Sequence, residues 1–142
     1  IFNFVDEIIE EFRGHKNVKH EILLECNDRN FLFNYDKKLM RQIVSNLLSN
    51  ALKYTPDGKR VFVDLSVEGE KLIFRVKDEG IGIPKKDIEY LFVPFHRASN
   101  VGTISGTGLG LPITKQAVEI HNGNISVESE INKGTIFTCT FN

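Results

Sequence analysis

Cysteine is scarce: Cys26 and Cys139 are the only two among 142 residues, far apart and outside any CxxC pair. That spacing excludes a disulfide framework and a zinc site, and both thiols are expected to behave as small core hydrophobes. Neither sign of charge is in surplus either. Eighteen basic against 19 acidic residues leave a net charge of -1, so no global field draws the chain to nucleic acid or membrane, and any ligand must be recognised locally. No apolar run approaches the roughly 18 residues of a membrane span, and the opening IFNFVDEIIEEFRG is acidic and amphipathic rather than signal-like. Repeats and low-complexity tracts are absent. The first residue is Ile1 rather than methionine, as expected of a segment taken from a longer protein.

What is present is a globular mixture, 41% hydrophobic and 26% charged, of a length that suits one domain over residues 1–142. Apolar residues at Phe4, Val5, Ile8, Ile9 and Phe12 have helical spacing and predict an opening helix within residues 1–14. Short strands are expected at residues 21–26 and 30–34. Asp36 suits the N-cap of a long helix reaching Tyr54, where Thr55, Pro56, Asp57 and Gly58 break it. Val61, Val63, Leu65 and Val67, then Leu72, Phe74 and Val76, alternate about a turn at residues 68–70 and predict a hairpin.

A short helix is expected at residues 85–92, a lid-like loop at 96–108, and a helix at 109–121 with Pro112 in its first turn. Two alternating strands close the chain: Ile125, Val127, Ser129 and Ile131, then Thr135, Phe137, Cys139 and Phe141. The expected fold is α+β, a two-layer sandwich with a mixed, mostly antiparallel sheet of about five strands packed against three helices.

Four segments carry chemistry. In RQIVSNLLSNALKYTP, Asn46, Asn50, Lys53 and Tyr54 share a helix face. Two amides, an ammonium and a phenol beside an apolar stripe suit a nucleotide: oxygen ligands for Mg²⁺, a cation for phosphate and an aromatic edge for a base. In DEGIGIP, Asp78 keeps the parity of Leu72, Phe74 and Val76, which points its carboxylate inward, where it needs a donor such as an exocyclic amine. Gly80 and Gly82 would let the backbone come close to a flat base. In SGTGLGLPITK, Gly106, Gly108 and Gly110 lead into a helix whose first N–H groups attract phosphate. The spacing fits neither GxGxxG nor a Walker loop. In KGTIF, the Thr135 hydroxyl should face the same layer as Asp78. Each segment alone also reads as ordinary structure, whether a solvated polar face, a glycine turn, a flexible loop or a β-branched strand residue.

In combination and order, these segments resemble the superfamily of DNA gyrase, the ninety-kilodalton heat-shock chaperones, mismatch-repair ATPases and histidine kinases. NLLSNALKYTP resembles its asparagine box, DEGIGIP its first glycine box, LFVPFHR its phenylalanine box, GTGLGLPITK its second glycine box and KGTIF its closing motif. The histidine-kinase branch is the nearest, over about residues 36–141. The resemblance implies a Bergerat-type ATP-binding fold. In it Asn50, with Asn46, would hold Mg²⁺, Lys53 and Arg97 would reach phosphates, and Tyr54 would lie against the base. Asp78, flanked by Gly80, Gly82 and Ile83, would hold the adenine amine, with Thr135 supporting that contact through water. Gly106, Thr107, Gly108, Leu109 and Gly110 would cover the phosphates. His96 and Pro112 depart from the commonest pattern, which puts lid packing in question.

An amide at Asn46, where hydrolases of the superfamily place glutamate, favours transfer over hydrolysis. The implied activity is that of a protein-histidine kinase, with Asn46, Asn50 and Lys53 as its catalytic residues and ATP and Mg²⁺ as cofactors. The acceptor would be a histidine on another domain of the same protein. His15, His20, His96 and His121 lack the helical acceptor setting, so the isolated chain is not expected to phosphorylate itself. A response-regulator receiver domain downstream, no nucleic-acid partner, a homodimeric parent and a cytoplasmic location under a possible membrane anchor complete the expectation. A gyrase- or chaperone-class ATPase and a non-catalytic nucleotide-binding module are the alternatives.

Overall fold

In the computed structural model, residues 1–102, 104, 106 and 108–142 are described. The elements run α1 (Phe2–Arg13), β1 (Glu21–Cys26), α2 (Lys37–Tyr54), β2 (Arg60–Glu68), β3 (Lys71–Asp78), α3 (Lys85–Ile88), α4 (Gly110–Ile120), β4 (Gly123–Glu130) and β5 (Gly134–Phe141). The sheet has the order β1-β2-β3-β5-β4. Only β1 and β2 are parallel; the other three pairings are antiparallel. The helices lie over one face, with α2 and α4 in mutual contact and α1 beside α2 and β1. This is the expected α+β sandwich, with a one-turn α3 as a fourth helix.

Register explains the core. The helix-facing side of the sheet is built in cross-strand rows: Leu65, Phe74, Cys139 and Ile125, then Val63, Val76, Phe137 and Val127. Against them α2 packs Met40, Ile43, Val44, Leu47, Leu48 and Ala51, all buried. Its start is fixed by Asp36, whose side chain accepts the Leu39 N–H at 2.9 Å. At one end of the sheet the next row is Val61, Asp78, Thr135 and Ser129, and there the apolar face turns polar. Cys139 is fully buried, which pushes its thiol up to about 12, while Cys26 is half-buried. Among the described residues no helix is long and apolar enough to cross a membrane.

Four expectations need correction. Residues 30–34 form no strand. Phe33 packs on Phe141 at 5.6 Å while Leu32 is 91% exposed, but β5, the strand that carries Phe141, is already paired on both sides by β3 and β4. The helix expected at 85–92 stops at Ile88 and continues as tighter turns, through Tyr90 N to Asp87 O and Leu91 N to Ile88 O. Ile131 leaves its strand for the turn before β5, half-exposed. The helix expected at 109–121 is shorter by one residue at each end, with Leu109 and His121 as its caps.

Candidate functional site

Between α2, the polar end of the sheet and residues 81–111 lies a cavity of about 230 Å³. One wall is the polar face of α2, which brings Asn46, Asn50, Lys53 and Tyr54 together as their spacing predicts. Asn46 places its amide nitrogen 3.4 Å from Gly110 O and 3.3 Å from the fully buried Thr114 hydroxyl. It thereby ties α2 to the start of α4. Its Oδ1 has no partner among the described residues, and neither amide atom of Asn50 has one. The Lys53 ammonium lies 5.7 Å from the centroid of the Tyr54 ring.

Asp78 stands at the far end, 7% exposed, on the face its parity predicts. Its Oδ1 accepts the Gly80 N–H at 2.9 Å and the Thr135 N–H at 3.2 Å. Burial pushes the carboxyl up to about 6, although both N–H donors pull it down. Both protein donors fall on one oxygen. The second has no protein donor among the described residues, so a ligand donor at this end of the cavity would meet a carboxylate in need of one.

The glycines also play a structural part. A Cβ on Gly80 would stand 2.5 Å from Tyr54 O and 2.8 Å from Asp78 Oδ1; one on Gly82, at φ +71°, would stand 2.1 Å from Glu130 O. What their missing side chains admit is the protein's own backbone. Gly80 does not line the cavity, whereas Gly82 and Ile83 do. On the opposite side Gly106, Gly108 and Gly110 line it, Leu109 does not, and Thr107 lies outside the described residues. Gly108, at φ +75°, packs on the backbone of Phe95 and accepts its N–H at 3.0 Å.

Arg97 lines the cavity and donates to Ile104 O; its Nε is buried without a partner among the described residues. Of the four histidines only His96 lines the cavity. His15 is exposed, His20 lies 2.6 Å from Thr55 O, and His121 accepts the Asp36 N–H at 3.0 Å.

Three residues escaped the sequence reading. Asp87, buried in α3, accepts the Ser99 N–H at 3.0 Å and the Ser99 hydroxyl at 2.9 Å, and faces His96 Nε2 at 3.4 Å. The Ser99 N–H above all holds its carboxyl below the usual range. Asn100 donates to Gly82 O at 2.9 Å. Ser129 joins Ile83 to Thr135. Asp87 and Asn100 gave no periodic signal, but Ser129 did: it is the one polar residue among the inward positions of β4.

The family described as "Histidine kinase-, DNA gyrase B-, and HSP90-like ATPase" matches residues 35–142. The chain belongs to this family. Within it the chain is homologous to the catalytic ATP-binding domains of sensor histidine kinases. It is 42% identical to the sensor histidine kinase WalK of Bacillus subtilis over 99% of its own length and 24% of that protein's. It thus spans about a quarter of that relative, and 16% of the circadian input-output histidine kinase CikA of Synechococcus elongatus, to which it is 45% identical over 81% of its own length. Among solved structures, the mycobacterial sensor histidine kinase MprB superposes with a TM-score of 0.87 at 27% identity, over 98% of this chain and 93% of that one. Full-length ShkA in complex with AMPPNP superposes with a TM-score of 0.82 at 25% identity, over 99% of this chain and 29% of that one.

The Bergerat-type fold of this family implies a nucleotide with its metal. Among the described residues no group of three or more His, Cys, Asp or Glu could cage an ion. Asn46 and Asn50 nonetheless offer neutral oxygens to the cavity, which suits a Mg²⁺ that completes its shell with phosphate oxygens and water.

Proposed function

We propose that the chain binds Mg·ATP in this cavity and passes the γ-phosphoryl group to a histidine on a separate phosphoacceptor domain of its parent protein. The observation that carries the reading is Asp78, a buried carboxylate with one oxygen unpartnered among the described residues, placed across the cavity from two amide oxygens likewise without partners among them and from the glycine-led start of α4. One end suits an adenine amine and the other suits a triphosphate.

In this reading Asp78 accepts from the exocyclic amine, and Tyr54 lies against the base. Asn46 and Asn50 hold the metal, which would neutralise charge on the β- and γ-phosphates. Lys53 and Arg97 supply cations, and the N–H groups at Gly106, Gly108 and Gly110 cover the phosphate tail. The bond from Pγ to the β,γ-bridging oxygen breaks with ADP leaving, while a bond forms between Pγ and the unprotonated imidazole nitrogen, and the proton on the other ring nitrogen passes to solvent. Asn46 is an amide and offers no base for water, which favours transfer over hydrolysis. That ShkA was solved with AMPPNP, and that relatives such as WalK are sensor histidine kinases, supports the same reading. A response-regulator receiver domain as the next acceptor, a dimeric parent and a cytoplasmic placement belong to the proposal.

Calorimetry with Mg·ATP, followed by radiolabel transfer to a helical domain bearing a histidine, tests it. Binding followed by transfer, with little phosphate release, is expected. Rapid phosphate release without transfer would favour a gyrase-class ATPase, and no binding at all would leave a silent module.

A further inference from the structure

We infer that Ser129 sets the hydrogen-bond polarity of the Thr135 hydroxyl, and so is a positioning residue for recognition of the purine ring. The inference rests on the adenine reading of Asp78. Ser129 faces Thr135 across the β4–β5 pairing, in the row that also holds Asp78. It does not line the cavity, but Thr135 does.

Its hydroxyl oxygen lies 2.8 Å from Ile83 N, 2.8 Å from Thr135 Oγ1 and 3.0 Å from Gly134 O. The Ile83 N–H can only donate, so Ser129 accepts there and keeps one proton and one lone pair to distribute. Two arrangements follow. If Ser129 donates to Gly134 O, then Thr135 must donate to Ser129, and Thr135 turns only lone pairs to the cavity. If Ser129 donates to Thr135, the Thr135 proton is free to enter the cavity.

Asp78 beside it is acceptor-only when ionised. The second arrangement therefore sets an acceptor next to a donor, matching the amino group and the N1 ring nitrogen of adenine, directly or through one water. The first would set two acceptors side by side and leave N1 unpaired. A purine whose amine meets Asp78 thus selects the arrangement in which Ser129 donates to Thr135. Ser129 can do this while still accepting the Ile83 N–H, a bond that also ties the first glycine loop to β4.

The test measures affinities of the 142-residue chain for ATP and for 1-deaza-ATP, which keeps the amine and lacks N1. The wild type should prefer ATP by roughly three- to tenfold, the worth of one hydrogen bond. Thr135→Val should lose that preference by weakening ATP alone. Ser129→Ala, which leaves the Thr135 hydroxyl free to turn, should reduce it in the same way. The double variant should lose no more than Thr135→Val, and Ser129→Thr should keep it. Ser129→Ala weakening both nucleotides equally, or neither, would overturn the inference. So would a wild type without preference for N1, even where Asp78→Asn abolishes ATP binding and so upholds the adenine reading. Should Ser129→Ala fail to fold, Thr135→Val losing the preference and Ser129→Thr keeping it support the inference, and the reverse overturns it.

Discussion

Thr135 and Asp78 are direct partners across β3 and β5, and the Thr135 N–H, 3.2 Å from Oδ1, shares that oxygen with Gly80 N at 2.9 Å. Among the described residues, two protein donors on one oxygen and none on the other give the carboxylate a direction. A group at 7% exposure with an unspent acceptor is a standing cost that a ligand amine would relieve.

Asp78→Asn should therefore weaken ATP binding by roughly 1.5–3 kcal/mol, the worth of a hydrogen bond to a charged group. Titration calorimetry measures it directly. Unchanged affinity would remove Asp78 from the site, whatever the variant does to stability.

The same carboxyl predicts a pH dependence of stability. Its value in the folded chain is raised from 3.8 to about 6 by burial, so the folded state binds the proton more tightly than the unfolded one. Its contribution to stability is greatest at low pH and declines as pH rises through this window, by about 3 kcal/mol in all. Subtracting the urea-melt profile of Asp78→Asn from that of the wild type should isolate this decline, and parallel profiles would contradict it. Nucleotide affinity should run the other way, falling below about pH 6 as the acceptor is protonated.

Most of the fold was legible because periodicity records burial. Alternation in β2, β3 and β5 and the apolar stripe of α2 say which face each element turns inward, and the parity of Asp78 followed from Leu72, Phe74 and Val76. Residues 30–34 are a short apolar run bounded by turn residues, yet pairing needs a free sheet edge, which no local pattern reports. The glycines were legible as special but not as to why. Whether a missing Cβ admits a ligand or the chain's own backbone depends on what crosses it, and Glu130 crosses Gly82 from 48 positions along the chain. The clamp of Asp87 on Ser99 was invisible for the same reason.

Asn50 has no hydrogen-bond partner among the described residues, so removing its amide breaks no hydrogen bond among them. Asn50→Ala should thus cost little stability but weaken Mg·ATP binding by about tenfold or more, as expected for losing a group bound to a charged partner. Metal-free ADP should be far less affected. Equal loss for both nucleotides would take the metal role away from this amide.

Gly82 and Gly58 separate two reasons for a glycine. Both have positive φ, +71° and +83°, so alanine at either should cost about 1–2 kcal/mol for the left-handed backbone alone. A Cβ on Gly58 would meet nothing within 4 Å, whereas one on Gly82 would stand 2.1 Å from Glu130 O and 2.6 Å from Glu130 C, an approach no side-chain rotation relieves. Gly82→Ala must then push the 81–83 loop away from the β4–β5 turn, and the Asn132 N–H to Ile81 O bond at 2.8 Å and the Ile83 N–H to Ser129 bond at 2.8 Å stretch with it. Gly58→Ala should lower stability by that backbone term and leave ATP affinity within about twofold, the turn lying away from the cavity. Gly82→Ala should lower stability by more and weaken ATP binding as well, because the displaced loop carries Ile83 and adjoins Asp78. Chemical melts and calorimetry on the two variants decide it: equal stability losses with ATP affinity intact in both would mean that the close crossing of Gly82 and Glu130 does not shape the site.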